Sequence, residues 1–501
     1  MSNSTAAPTW YGGIRDMFTQ IDIDHMSPHG ILLNDYDSVK SNAPGIYGQL
    51  AAGNMPPKHP WPKSQVQTFL DWMTNNYPKG TPPKESSRLK MMATASATRV
   101  RKDVSSLSSD EIATLKKAFS GVMKLKTNDP NGYFIQAGYH GLPNAYCMHH
   151  IPGYNPWHRA YLYSFENALR TIPGCEDVTL PYWDLFNDFP DLLNQAPFAN
   201  YTLPEDLNSN YKKGYVTQRN SVKTMESLFK QYDVLTDFTR AKTQQDWEDY
   251  HGGQAFGGAP NDTSISAHDG GHVATGPTMA DQNVAAFDPI FWFYHCNIDR
   301  MFWEWQKGMH ATDINGLLST ITTTESRNIF TIPVLESLPP FTNNAPHLNT
   351  VKIVDSIANL DVDYDPPAKE TKEIAMAAFT TKRRGSVAAS EKFHVDTDIA
   401  NVRVKGINRI KIPGSFSVHL LKDGEKIASK AFFQPSEVDK CPNCVENPIV
   451  HVDFKLPLEE VKSGKLETWI EPLNHAPFGD RFPHKMMGNP TINVRLLLRN
   501  E

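Results

Sequence analysis

His268-Asp269-Gly270-Gly271-His272 and, after a short connector, Asp288-Pro289-Ile290-Phe291-Trp292-Phe293-Tyr294-His295-Cys296-Asn297-Ile298-Asp299-Arg300 decide how this chain is read. Residues four apart share one face of a helix, so His268 and His272 point the same way if the segment is helical. His295 follows on a strongly apolar run that opens with Asp-Pro. Three imidazoles suit one borderline transition metal and leave a position open for a small ligand. Taken alone, the stretch is a metal-site hypothesis. Which metal it serves depends on whether the chain supplies a second such set.

Working outward, residues 140–158 carry four more histidines: His140, His149, His150 and His158. A lone histidine is most often a surface or satisfied core residue. Two separate clusters in one region point instead to metal binding. Asn155-Pro156-Trp157-His158 reads as a helix start, with Asn at the N-cap and Pro in the first turn. That helix continues through Tyr161, Leu162, Phe165 and Leu169 and is expected to stop by Pro173-Gly174. Ser108-Ser109-Asp110-Glu111 is a capping box opening a helix with Ile112, Leu115, Ala118, Phe119 and Val122 at helical spacing. Asp288-Pro289 opens a third helix in the same manner. The middle of the chain therefore reads as mainly helical.

The flanks differ. Residues 1 to about 95 are rich in Pro, Asn and Lys, with loop chemistry at 55–62 and 78–83 and a short helix expected over Gln65–Trp72. Their apolar content is sparse, so they read as an N-terminal extension without a core of its own. After Asp365-Pro366-Pro367, the runs 401–406, 415–421, 427–433, 449–456, 466–471 and 491–498 partly alternate, and turns such as Asp423-Gly424 separate some of them. This is a small β domain of sandwich type. The expected domains are 1–96, 97–366 and 367–501.

Length and composition bound the rest. A chain of 501 residues is long enough for two or three domains and a sizeable core. A net charge of −6 gives no basic field for nucleic acid or an anionic membrane. No apolar run approaches the roughly 18 residues of a membrane span. The polar N-terminus lacks the basic-then-apolar order of a secretory signal, which favours a cytoplasmic protein. Five cysteines are odd in number and few, which argues against a disulfide framework.

At this point the chain resembles the type 3 copper proteins: tyrosinases, catechol oxidases and hemocyanins. Pro156-Trp157-His158-Arg159-Ala160-Tyr161-Leu162 with Glu166 looks like the family's first copper signature. Asp288-Pro289-x-Phe291-x-x-x-His295-x-x-x-Asp299-Arg300 looks like its second, and Leu180-Pro181-Tyr182-Trp183-Asp184 is a further landmark. The resemblance implies a four-helix-bundle core holding two copper ions with one O2 bound between them. It implies His140, His149 and His158 at the first copper and His268, His272 and His295 at the second. His149 is preferred to His150 because it lies nine residues before His158. Cys147 would be joined to His149 by a thioether, as in fungal-type members. Phe291 would pack on the imidazoles, while Asp299 and Asp288 are candidates for supporting or capping roles. The implied reaction is O2-dependent oxidation of small phenols, with ortho-hydroxylation of monophenols and oxidation of o-diphenols to o-quinones.

Some features depart from the family pattern. Gly270 and Gly271 each cost about 0.5–1 kcal/mol against alanine inside a helix, so this histidine pair is expected either at a helix end or relying on copper for order. Efficient tyrosinases often have Asn directly after the first ligand of the second copper, with a Glu nearby. Asp269 stands there instead and is the candidate base; its blander role is a turn-forming carboxylate. The resemblance also implies a C-terminal domain covering the site. Phe432 or Phe433 would be its aromatic placeholder, unless both are plain sandwich core. Cys441-Pro442-Asn443-Cys444 resembles a copper-delivery motif, with a disulfide or half of a zinc site as alternatives. The rival functions are a catechol or o-aminophenol oxidase without hydroxylation, and a hemocyanin-like O2 carrier. The N-terminal segment is the candidate assembly surface for a homo-oligomer.

Overall fold

The structure, a computed structural model, describes residues 8–18, 22, 26, 31–53, 55, 61–80, 99–252, 264–331, 338–341, 353–367, 399–473 and 488–496. The chain divides into two compact units, Met1–Ser96 and Ala97–Glu501. The first contains helices α1 (Tyr36–Ala51) and α2 (Lys63–Thr74). Contrary to the sequence expectation, it has a core of its own, built on Trp10, Phe18, Phe69 and Trp72. The reason is ring size. Each large aromatic side chain buries roughly 150–250 Å², so a few of them replace many aliphatic residues. The Phe69 and Trp72 rings lie 5.4 Å apart, and Trp10 lies 6.0 Å from Trp72.

In the second unit, strand β1 (Arg99–Arg101) pairs in parallel with β2 (Val362–Tyr364), joining the two ends of a helical region. Helix α3 (Ser109–Lys124) starts at the expected capping box, with Ser108 and Glu111 bonding reciprocally. Next come α4 (Tyr154–Arg170), α5 (Val222–Gln231), α6 (Val234–Lys242), α7 (Ser264–Thr275) and α8 (Ile290–Gly308). Helix α4 begins two residues earlier than the sequence suggests. Gly153 is its N-cap, and Asn155 is a buried first-turn residue. Apart from its final turns, α8 is buried on every face, as expected of a central core helix.

A buried ion network joins α4 to α8. Arg159 donates to Asp299 at 2.6 Å, Tyr364 donates to Asp299 at 2.5 Å, and Arg101 donates to Glu166 at 2.9 Å. Arg159 follows His158, and Asp299 lies one turn beyond His295. The network therefore fixes the two histidine-bearing helices against each other. Removing one partner of such a buried pair typically costs about 3–5 kcal/mol.

All six runs expected in the C-terminal region are strands: β3 (Ile399–Asn408), β4 (Phe416–Lys422), β5 (Glu425–Phe432), β6 (Ile449–Pro457), β7 (Leu466–Pro472) and β8 (Thr491–Leu496). They form two three-stranded antiparallel sheets, ordered β6-β3-β8 and β5-β4-β7. Val402, Val404, Phe416, Val418 and Phe454 fill the space between them. Asp423 and Gly424, both at positive φ, make the two-residue turn joining β4 to β5. The expected domain boundary after Pro366 adjoins residues 368–398, which lie outside the described set. No described helix is long and apolar enough to cross a membrane.

The β domain lies on the helical region along β5 and the residues after it. Lys430 donates to Asp237 of α6 at 2.7 Å, and the Tyr232 and Ser417 hydroxyls share a 2.8 Å hydrogen bond. The Phe433 N–H donates to Asp269 of α7 at 3.1 Å. These contacts bring residue 433 directly over the histidines.

Candidate metal centre

His268 lies inside α7 and His272 in its last turn, so both glycines are helical. The glycines are there for close approach. A Cβ at residue 271 would lie 2.0 Å from the Tyr294 hydroxyl oxygen, and one at 270 would lie 2.9 Å from Val234. The Tyr294 hydroxyl donates to the His268 carbonyl at 2.9 Å. The propensity cost therefore permits α7 to seat against α8, and the side chains at 268 and 272 to meet His295.

The six histidines come together from five segments, with His268 and His272 on α7 and His295 on α8. His140 follows a short helix (Tyr133–Gly138), His149 lies in a turn, and His158 is on the second turn of α4. All six are buried. Ring centroids lie 4.9 Å apart for His140 and His149, 5.0 Å for His149 and His158, 4.4 Å for His268 and His272, and 5.1 Å for His272 and His295. His158 and His295 stack across the helix pair at 4.6 Å. Three groups have ligand atoms close enough to hold one ion: His268, His272 and His295; His140, His158 and His295; and His140, Cys147 and His149. The first group coincides with an expected ligand set. The other two divide the remaining histidines differently, with His295 facing both sides.

The donor pattern fits metal ions. His140, His158 and His272 place Nδ1 at 3.3, 2.8 and 2.9 Å from the carbonyls of Gln282, Tyr154 and Met279. A carbonyl only accepts, so Nδ1 carries the proton and the Nε2 lone pair is free for a metal. His268 Nδ1 is held in the same way by Asp269 at 2.9 Å. Nε2 of His140, His158 and His268, and both ring nitrogens of His149, are buried without a hydrogen-bond partner among the described residues. His272 Nε2 and His295 Nε2 lie 2.9 Å apart. Two nitrogens each about 2.0 Å from one ion would be separated by about 3 Å. Burial lowers the pKa of all six imidazoles, to about 3 for His158 and His272, so the rings are neutral as ligation requires.

The residues expected around the histidines occupy varied positions. Phe291 packs on His295 at 4.1 Å and on His140 at 4.7 Å. Asp299 bonds Arg159 and Tyr364, so it braces helices and does not bond an imidazole. Asp288 accepts from the Ile290 N–H at 3.1 Å and from Arg219, a capping and bracing role. Cys147 is a buried free thiol accepting from Gln282 Nε2 at 2.9 Å, and burial pushes its pKa up to about 12. The side chain of Asp269 is fully engaged. Oδ1 meets His268, while Oδ2 meets His150 Nε2 at 2.8 Å and accepts the Phe433 N–H. Burial raises its pKa, against the pull of His150. With both oxygens bonded, Asp269 is a latch between α7 and the β domain in this closed arrangement.

The two phenylalanines separate at the strand end. Phe433 stacks on His272 at 4.1 Å with 16° between planes, and lies 5.3 Å from His149. Phe432, the last residue of β5, packs with Phe416 at 4.9 Å in the sandwich core and stacks on His150. Only Phe433 covers the histidine chamber. Cys441 and Cys444 form a disulfide, so neither thiolate is free to carry copper in this state. The disulfide spans the start of the short helix α9 (Pro442–Glu446), and Asn443 on that helix donates to the His149 carbonyl. Sequence reasoning missed His150, Gln282 and Asn443 as supports. Adjacency to His149 was the only signal for His150, and nothing marked the other two.

The helical core gathers six buried imidazoles at one chamber beneath a β-sandwich, a donor set that could hold metal ions. Residues 130–308 match the family model described as the common central domain of tyrosinase. This central domain is that of the type 3 copper proteins, which include tyrosinases and hemocyanins. It is 27% identical over 227 residues to hemocyanin 2 of Megathura crenulata, covering 42% of this chain and 6% of that one. It is 25% identical over 522 residues to tyrosinase HcTyr2 of a Hahella species, covering 76% of this chain and 92% of the relative. Among solved structures, the tyrosinase of Burkholderia thailandensis is similar with a TM-score of 0.58 at 20% identity, over 79% of this chain and all of that one.

Proposed function

We propose that this chain is a copper-dependent phenol oxidase that hydroxylates monophenols at the ortho position and oxidises o-diphenols to o-quinones. His140, His149 and His158 hold one copper in this reading, and His268, His272 and His295 the other. The observation that carries it is the gathering of six buried imidazoles at one chamber, with Nδ1 tethered and Nε2 unpartnered at His140, His158 and His268. Copper bound there supplies the electrons that activate O2 against a phenol. The protein's own contribution is orientation and exclusion of water. Carbonyls fix the tautomers of His140, His158 and His272, Asp269 holds His268, Phe291 packs the chamber floor, and the apolar core keeps the imidazoles neutral.

Phe433 stacks where an aromatic substrate would meet His272, so the β domain acts as a cover that must move before phenols enter. That movement releases the Phe433 N–H from Asp269 Oδ2, which keeps its His150 contact and gains an open acceptor position for a phenolic proton. Cys147 lies beside His149 in position for a thioether that would fix the imidazole. A second reading, a reversible O2 carrier, is favoured by the similarity to Megathura hemocyanin and by the closed cover.

The experiment supplies copper-loaded protein with tyrosine and then with a catechol, before and after the β domain is displaced by mild acid or proteolysis. Quinone from both substrates is the expected result after displacement. Product from catechol alone reduces the function to a diphenol oxidase. No turnover in any state leaves the carrier reading.

A further inference from the structure

Arg409, directly after β3, is completely buried. Its Nη2 donates to Cys444 Sγ at 2.9 Å and its Nε to Gln434 Oε1 at 3.3 Å, while Nη1 is buried without a hydrogen-bond partner among the described residues. The Phe432 ring lies 5.1 Å from the guanidinium. Asp269 attracts Arg409 without bonding to it, and burial lowers the guanidinium pKa to about 10. Among the described residues no carboxylate pairs with this side chain. A buried charge is normally paired with an opposite one. The sulfur of the Cys441–Cys444 disulfide is a neutral, weak acceptor and leaves that need unmet.

A thiolate would meet it. Opposite charges attract strongly in a dry site, and a neighbouring arginine favours the ionised form of a cysteine. Such a pair stabilises the reduced state, which makes a disulfide easier to reduce. A purely structural role for this bond is weak. The cysteines are three residues apart, and the constraint a disulfide places on the unfolded chain grows with loop length. Cys441 is 8% exposed against 1% for Cys444, and it lines a cavity of about 460 Å³ between α9 and residues 145–152.

We propose that Cys441–Cys444 is a redox-active disulfide, reduced reversibly by external thiols, with Arg409 stabilising Cys444 as the leaving thiolate. The thiolate of a first thiol attacks Cys441 Sγ, the S–S bond breaks, and its electron pair goes to Cys444. A second thiolate attacks the external sulfur of the mixed disulfide and releases Cys441. Two thiols end as one disulfide, Cys441 ends as a thiol and Cys444 as a thiolate, and one proton passes to solvent. Asn443, between the two cysteines, donates to the His149 carbonyl, so the exchange occurs beside the segment carrying that histidine.

The test equilibrates the copper-free full-length chain with mixtures of reduced and oxidised glutathione, and reads the 441–444 peptide by alkylation and mass spectrometry. Wild type is expected to be reduced in these mixtures and to reoxidise when the ratio is reversed. Structural disulfides resist this reductant. Arg409→Gln removes the charge and is expected to shift the equilibrium about tenfold toward the disulfide, about 30 mV. Arg409→Lys keeps the charge and is expected to restore most of that shift. A titration of the reduced wild type needs no variant at 409. Its thiolate absorbance, less that of Cys444→Ser, is expected to give a Cys444 pKa below the ordinary value of about 8.5. A wild-type disulfide that glutathione leaves intact overturns the proposal. So does a Cys444 pKa at or above the ordinary value, or an equilibrium in Arg409→Gln equal to that of wild type.

Discussion

The second histidine set stands entirely on regular helices: His268 and His272 on α7, His295 on α8. In the first set only His158 does. His140 follows a short helix and His149 lies in a turn, and neighbouring segments hold both in place. The Gln282 carbonyl accepts a hydrogen bond from His140 Nδ1, and Asn443 of the β domain donates to the His149 carbonyl. The difference teaches how each half is organised. The helical set is arranged by backbone geometry and by the Gly271–Tyr294 contact. The other set is held by contacts from distant segments.

Four outcomes would break or sharpen this contrast. The largest effect is expected from His295→Ala. This residue shares close groupings with both halves, so its loss should empty the centre of copper, whereas His149→Ala should lose only the first-set ion. Metal analysis of the two variants checks this, and equal losses would dissolve the distinction. Next comes Gly141→Ala. Its Cβ would fall 2.4 Å from the Gln282 carbonyl oxygen, which is backbone and cannot swing aside. Thermal denaturation should show a loss at or above the roughly 1–3 kcal/mol typical of overpacking.

Gly271→Ala should cost less than Gly141→Ala. Its clash is with a side-chain hydroxyl, and the helix recovers about 0.5–1 kcal/mol of propensity. A greater loss at 271 than at 141 would contradict the account. The smallest effect concerns metal removal. Hydrogen exchange after chelation should quicken at residues 140–153 and change little along Ser264–Thr275. Equal quickening in both would show that the helical set is no more preorganised than the other.

The same contrast explains what could be read in advance. Histidines four apart on a helix, an Asp-Pro helix start, a capping box at Ser108 and six alternating runs are local periodic signals, and each has its counterpart in the structure. The glycines at 270 and 271 were legible only as a helix cost, because the neighbours they admit, Val234 and Tyr294, are distant in sequence. The role of Asp269 as a latch was hidden for the same reason. Its partners His150 and Phe433 lie 119 and 164 residues away. Strand alternation did not separate Phe432 from Phe433. That division is made by where β5 ends over the helices. In the N-terminal unit, counting apolar residues missed the core that a few large rings build.

The central claim is that one chamber holds two copper ions on six histidines. Elemental analysis of the purified full-length chain after copper loading tests it most directly. The account predicts two coppers per chain, with none retained in His295→Ala. A single tightly bound zinc and no copper would contradict it.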